Sequence, residues 1–462
     1  MTDRLSPLDA SFLYIEESTT PMHVGGLSIF RPEAGQAFDT ENLRALIGRR
    51  IGLVPRYRQK VRWVPGHLAN PEWVDDHEYD LSYHVRRSAL PRPGSDDQLR
   101  ELVGRLMSRP LDRERPLWEI YLVEGLAEGR VAIITKVHHA MVDGIRAIDI
   151  GALLLDLTPE VVEVDVEPWR PAREPGALGL LGRAVTDTLR RPLGVVDTLR
   201  TNTFDARRVL GKVAEAAGGI AAVARTQMSS APASPLNREI GTHRRFGMAT
   251  TDLDDYKRVR KAHGGTINDV VLATVSGALR TWLLTRGEAV TTTTTQRAMV
   301  PVSVRGAGGA ETGNRVSSYF VDLPVGEPSP IMRLHQVSYA MKAHKESGQS
   351  VGADAMIAMA GFAPPTLTAL GARVGSRLSS RMFNLVVTNV PGPQYPLYSM
   401  GAPLLGIWPV VPLAKGQAVT VGLTSYNGGV FYGLNADRDA LPDVDVLAGC
   451  IEESLAELVA TT

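Results

Sequence analysis

Apolar residues dominate 118–123 and again 131–137, and the polar stretch between them carries Gly125 and Gly129. Two such runs joined through a glycine-containing turn predict a hairpin, with the second strand buried. Beyond the loop 138–144, Ile145, Ile148, Ala152 and Leu155 recur at helical spacing, so a helix is expected there. The remainder of the first 170 residues alternates short strand-like and helix-like stretches, the pattern of a mixed α/β domain. In the second half, 266–284 reads as an amphipathic helix and 298–304 as a strand. Several short strands follow between 385 and 434, and the helical spacing over 445–459 predicts a last helix. The threonine run 291–295 reads as loop or edge strand, and no internal repeat is visible.

A chain of 462 residues exceeds what one hydrophobic core usually supports, so two domains are expected. The acidic stretch 160–167 lies beside Pro168, Pro171 and Pro175 and marks a boundary. We therefore divide the chain into a first domain, 1–170, a connecting segment, 171–235, and a second domain, 236–462. Within the connection, 176–227 holds eight basic and four acidic residues among Leu, Val and Ala, the look of broken amphipathic helices with a basic face. Two readings stand: a solvated linker that packs its apolar stripe on the protein, or an element that docks on an anionic lipid surface.

Composition narrows the class. Hydrophobic residues make up 44% and charged residues 22%, enough apolar material for substantial cores and no signature of disorder. Basic and acidic residues balance at 50 each, so charge points neither to nucleic acid nor to a strongly acidic partner. The single cysteine, Cys450, precludes a disulfide framework within the chain and fits a reducing, cytoplasmic setting. With no signal-like core at the start and no long apolar run, any membrane contact is expected to be peripheral.

The densest chemistry lies where the buried strand ends, in His138, His139, Asp143 and Gly144. A neutral imidazole can take a proton from a hydroxyl near neutral pH, Asp143 could brace it, and Gly144 would let the backbone turn sharply. The residues alone leave other readings open. Two histidines and an aspartate are ligand types, yet no further ligand shows convincing spacing, and metal is not expected. A nucleophilic triad would need an activated Ser or Cys, for which Cys450 is poorly placed. Paired core histidines with structural bonds remain the bland alternative. In the second half, Thr266 followed by Asp269 forms a capping-box pattern, which gives Asp269 a structural role. Asn268 is either a further local cap or surface residue, or an amide donor for a developing oxyanion at a helix N-terminus.

These residues also resemble the bacterial wax ester synthase and acyl-CoA:diacylglycerol acyltransferase family. Leu5-Ser6-Pro7-Leu8-Asp9 with Pro21-Met22-His23-Val24-Gly25, Pro116-Leu117-Trp118-Glu119 and His138-His139-Ala140-Met141-Val142-Asp143-Gly144 carry the likeness in the first half. Asn268-Asp269-Val270-Val271-Leu272-Ala273, Pro301-Val302-Ser303-Val304-Arg305, Gly313-Asn314-Arg315-Val316-Ser317 and Thr388-Asn389-Val390-Pro391-Gly392-Pro393 continue it in order. The resemblance implies an α/β fold of two chloramphenicol acetyltransferase-like domains facing each other across a substrate tunnel. It implies His139 as proton acceptor, with His138 and Asp143 holding the loop, and no cofactor, since acyl-CoA is a substrate. We add Arg305, which follows an apolar strand, as a cation that could pair with Asp143, and Asn268 as a group that could polarise the intermediate. The expected partners are long-chain acyl-CoA and diacylglycerol or a fatty alcohol, with the chain at the inner face of the cell membrane or on lipid droplets. Competing expectations are a condensation-type acyltransferase with a carrier-bound donor, and a non-catalytic lipid-binding or droplet coat protein, which would need no base.

Overall fold

The computed structural model describes residues 4–142, 150–162, 164, 169–190, 230–304, 315–347 and 382–462. In chain order its strands are β1 (His23–Phe30), β2 (Gln59–Arg62), β3 (Glu72–Asp75), β4 (Val85–Ala89), β5 (Trp118–Glu124), β6 (Val131–His138) and β7 (Arg244–Asp252). There follow β8 (Gln296–Val304), β9 (Arg315–Leu323), β10 (Leu385–Pro391), β11 (Tyr398–Ser399), β12 (Ala402–Val410), β13 (Val419–Tyr426) and β14 (Gly429–Asp437). They form two six-stranded sheets, ordered β11-β12-β1-β6-β5-β4 and β7-β14-β13-β10-β8-β9, plus a small ribbon of β2 and β3.

The expected hairpin is present: β5 and β6 pair antiparallel from Trp118↔Val137 to Val123↔Ala132. Every residue from Ala132 to His138 is buried, because β6 lies inside the sheet between β1 and β5 and both of its faces are covered. Continuous apolar sequence, rather than alternation, is what such a strand requires. Helix Asp96–Met107 packs on this half through Leu99, Leu102, Val103 and Leu106, a three-and-four spacing on one face. Its start is held by a reciprocal capping box between Ser95 and Gln98.

Behind the second sheet lie helices Leu253–His263, Ile267–Thr285, Pro330–Ser347 and Val444–Val459. Helix Ile267–Thr285 contacts the other three, which explains why Val270 to Leu279 is buried throughout. The predicted span 266–284 matches the observed helix in extent, but packing on several sides makes that helix apolar around most of its circumference rather than on one face.

The two sheets are interlocked. β12 leaves the second half of the sequence and pairs with β1 of the first sheet, from Gly25↔Val410 to Phe30↔Leu404. The chain then returns to the second sheet as β13. Division of the chain at residue 236 follows chain order, whereas the sheets cut across it. Close approach at the junction needs glycine: a Cβ on Gly433 of β14 would lie 1.9 Å from the Pro409 carbonyl oxygen. A hydrogen bond adds to the lock: the main-chain N–H of Arg244, at the start of β7, donates to Ser108 Oγ at 2.8 Å.

Candidate active site

β6 ends at His138, and a single 3₁₀ turn, His139–Met141, follows. His138 caps this turn: its Nδ1 accepts the Ala140 N–H at 3.0 Å. An imidazole nitrogen that accepts carries no proton, so the ring proton of neutral His138 sits on Nε2. That nitrogen faces Glu16 Oε2 at 3.6 Å, with both side chains buried. His138 is held through its main chain as well, its N–H bonding to the Leu117 carbonyl at 2.9 Å.

His139 follows with its N–H on the Met22 carbonyl at 2.8 Å, where β1 begins beside β6. Its ring stacks on Phe12, centroids 4.0 Å apart and planes 22° from parallel. Phe12 belongs to helix Pro7–Ile15, whose start is a Ser6 N-cap followed by proline. Burial brings the pKa of His139 down to about 4; its own main-chain carbonyl works in the opposite direction, and the neighbouring His138 adds to the lowering. At neutral pH the ring is therefore a neutral imidazole, with one nitrogen able to accept a proton. Nδ1 of His139 has no hydrogen-bond partner among the described residues.

Glu16 caps the C-terminus of helix Pro7–Ile15 and reaches into the same turn. Oε1 accepts the Met22 N–H at 2.9 Å, and Oε2 accepts Arg113 Nε at 3.0 Å. Burial would raise this carboxyl, but His138, Arg113 and the Met22 N–H together outweigh it and hold the pKa near about 2. Glu16 is a buried, ionised group facing His138. Its sequence context, the first of two adjacent glutamates (Glu16, Glu17) after an apolar helix, carries no signal for this.

The block 116–119 supports the turn from behind. Leu117 supplies the carbonyl that holds His138; Trp118 donates its indole N–H to the Tyr57 carbonyl at 2.7 Å and stacks on His84. In β6, Lys136 is buried with its Nζ on the Leu106 and Arg109 carbonyls. Burial lowers its pKa to about 8, although Glu119 nearby pulls the other way.

In the second half the predicted capping box is formed: Asp269 Oδ2 accepts the Thr266 N–H at 2.8 Å, and Thr266 Oγ1 accepts the Asp269 N–H at 3.2 Å. Ser338 Oγ also donates to this carboxylate. Asn268, one residue earlier on the first turn, accepts from Asn389 Nδ2 at 3.4 Å. The 388–393 block thus meets the 268–273 block through its asparagine. The structure brings His138 and His139 together with Glu16 and Phe12, and Asn268 together with Asn389. No hydrogen bond joins Asn268 to either histidine among the described residues. Asp143, Gly144, Arg305, residues 145–149 of the predicted helix and 191–227 of the basic segment lie outside the described residues. The remainder of that predicted helix is observed at Ile150–Leu154, and the start of the basic segment forms helix Ala177–Arg190. Among the described residues, no group of three or more His, Cys, Asp or Glu could hold a metal ion.

Two interlocked α/β halves, with a paired-histidine turn at the end of a central strand, define a member of the chloramphenicol acetyltransferase-like class. The chain matches the models of the wax ester synthase/diacylglycerol acyltransferase catalytic domain over residues 5–271 and of the C-terminal domain over 312–459, so it belongs to that acyltransferase family. It is 36% identical over 465 aligned positions to the probable diacylglycerol O-acyltransferase tgs1 of Mycobacterium tuberculosis, covering 99% of this chain and 96% of the relative. The wax ester synthase/diacylglycerol acyltransferase of Marinobacter aquaeolei VT8 superposes with a TM-score of 0.72 at 29% identity, over 100% of this chain and 99% of that one. The starter condensation domain of rhizomide synthetase RzmA shares the fold alone, with a TM-score of 0.51 at 11% identity over 100% and 95% of the two chains.

Proposed function

We propose that this acyltransferase moves a long-chain acyl group from acyl-CoA to the free hydroxyl of diacylglycerol, with His139 as general base. Neutral His139 takes the hydroxyl proton as the oxygen attacks the thioester carbonyl. The tetrahedral intermediate collapses, the C–S bond breaks, and CoA leaves as the thiol after taking up a proton. The observation that carries this reading is the state of His139: partly buried, neutral at physiological pH, and fixed by the Met22 hydrogen bond and the Phe12 stack. In this reading Asp143 holds the loop together with His138, Arg305 is its cationic partner, and Asn268 is a donor to the oxyanion.

Long-chain alcohols are the second acceptor class, giving wax esters, because the proton transfer at His139 is the same for any primary hydroxyl. Both acceptors partition into lipid, so the protein meets them at a membrane or droplet surface. Among the described residues no helix is long and apolar enough to cross a membrane. The basic residues of 176–227 supply the attraction in this reading, each worth about 1 kcal/mol near an anionic surface.

The test is His139→Ala assayed with palmitoyl-CoA and either diacylglycerol or hexadecanol, reading CoA release and lipid product. Loss of about 10²–10⁴-fold in turnover by folded protein is expected. Parent-like turnover would remove His139 from the chemistry.

A further inference from the structure

The N-terminal helix Pro7–Ile15 lies against the histidine turn at two points, one on each histidine. Phe12 stacks on His139, and the C-cap residue Glu16 faces His138. We infer that Glu16 is a positioning residue for acyl transfer, acting through His138 and Met22 to hold His139 in place. The inference rests on the reading of His139 as the base.

The two carboxylate oxygens divide the task. Oε1 takes the Met22 N–H, and the carbonyl of the same residue takes the His139 N–H; one side of Met22 is tied to Glu16 and the other to the base. Oε2 faces the protonated nitrogen of His138, whose other nitrogen takes the Ala140 N–H and closes the turn that begins at His139. Arg113 bonds to Oε2 and to the Leu13 carbonyl, which fixes the carboxylate on its own helix. Each neighbour of His139 along the chain, His138 and Ala140, is therefore joined to Glu16 directly or through one bond.

At 3.6 Å the Glu16–His138 contact is longer than a hydrogen bond, so its effect is electrostatic: a buried negative charge favours the orientation that points the Nε2 proton toward it. This is the logic by which an acidic group orients a catalytic histidine, displaced by one residue: the carboxylate orients the neighbour, and the neighbour fixes the backbone of the base. Simple anchoring of the helix would need only Arg113 and the Met22 N–H. The placement of Oε2 against His138 is the feature that anchoring leaves unexplained.

The test uses the full chain, with kcat and KM for palmitoyl-CoA measured at saturating diacylglycerol and normalised to the folded fraction from circular dichroism. Glu16→Gln keeps the shape and an oxygen for the Met22 N–H but removes the charge. The expected result is a fall in kcat of about 10- to 100-fold with KM changed by less than about twofold, the range seen when groups behind a first-contact residue are altered. Glu16→Asp, which keeps the charge, should recover more of kcat than Glu16→Gln does. If Glu16 acts through His138, the effects of Glu16→Gln and His138→Ala must not multiply, and the double variant should be little worse than the poorer single one. A parent-like kcat for Glu16→Gln, a loss wholly explained by unfolded protein, multiplying effects, or Asp poorer than Gln would each overturn the inference. His139→Ala in the same assay keeps the two ideas apart: retained activity there defeats the base itself, whereas its collapse beside a parent-like Glu16→Gln defeats only the positioning role.

Discussion

Removing the ring that covers His139 should move the acid limb of the pH profile. In Phe12→Ala, water reaches the imidazole face now stacked at 4.0 Å, and the burial that holds the pKa near about 4 is partly lifted. If burial were lifted completely, the pKa would return toward the ordinary histidine value of 6.5. At pH 5.5 a group of pKa 4 is about 97% unprotonated and one of pKa 6.5 about 9%, so the upper limit of the effect is about tenfold. The assay is kcat/KM for acyl-CoA from pH 5 to 8, expressed as the ratio of variant to parent so that ionisation of the CoA phosphates cancels. The ratio should be flat above about pH 7.5 and fall toward pH 5.5, because kcat/KM reports the free enzyme's base. Linkage gives an independent check. A histidine whose folded pKa is depressed binds fewer protons than in the unfolded chain, so its contribution to stability is complete above about 6.5 and is lost as pH falls toward 4. Phe12→Ala, less stable overall, should therefore lose less further stability than the parent between those pH values. A ratio of kcat/KM that stays flat down to pH 5.5, in protein shown to be folded, would refute the claim that Phe12 keeps the base dry.

Asn268→Ala should lower kcat by about 10²–10³-fold with little change in KM if its amide meets the oxyanion, whereas a drop in melting temperature alone would assign it to the helix end. Asp269→Ala should cost about 0.5–2 kcal/mol in urea unfolding through loss of the capping box, with kcat of the folded protein nearly unchanged. Gly433→Ala forces a Cβ into the Pro409 carbonyl and should destabilise by at least the upper end of the about 1–3 kcal/mol typical of overpacking, with lost activity tracking lost folded protein. Changing Arg190, Arg191, Arg207 and Arg208 to Gln should weaken salt-sensitive binding to anionic liposomes and slow turnover of bilayer-embedded diacylglycerol, while turnover of a short soluble alcohol stays as in the parent. Unchanged liposome binding would return that segment to the role of linker.

What the sequence determined by itself was local. A continuous apolar run can only be a covered strand or a buried helix, and the two runs around 118–137 are too short and too close for helices, so the β5–β6 hairpin followed from pattern and turn chemistry. The Thr266–Asp269 box was equally visible, because both partners lie within one helical turn. The histidine pair could be found as a candidate since its members are adjacent at a strand end. Its surroundings could not. Glu16 lies 122 positions before His138 in the chain (138 − 16), and only the packing of helix Pro7–Ile15 on the turn joins them. The same is true of Asn389 and Asn268, which share no local pattern and meet only because β10 sits in the sheet beneath the long helix. β12 gives the largest example: its apolar content predicts a strand, yet nothing in it says that it pairs with β1 rather than with its neighbours in sequence. Strand propensity is a property of a segment, whereas the choice of partner depends on register, burial and closure contributed by the whole chain. The pKa values near the histidine pair belong to the same class, since burial and opposed charge exist only once distant residues have been packed together.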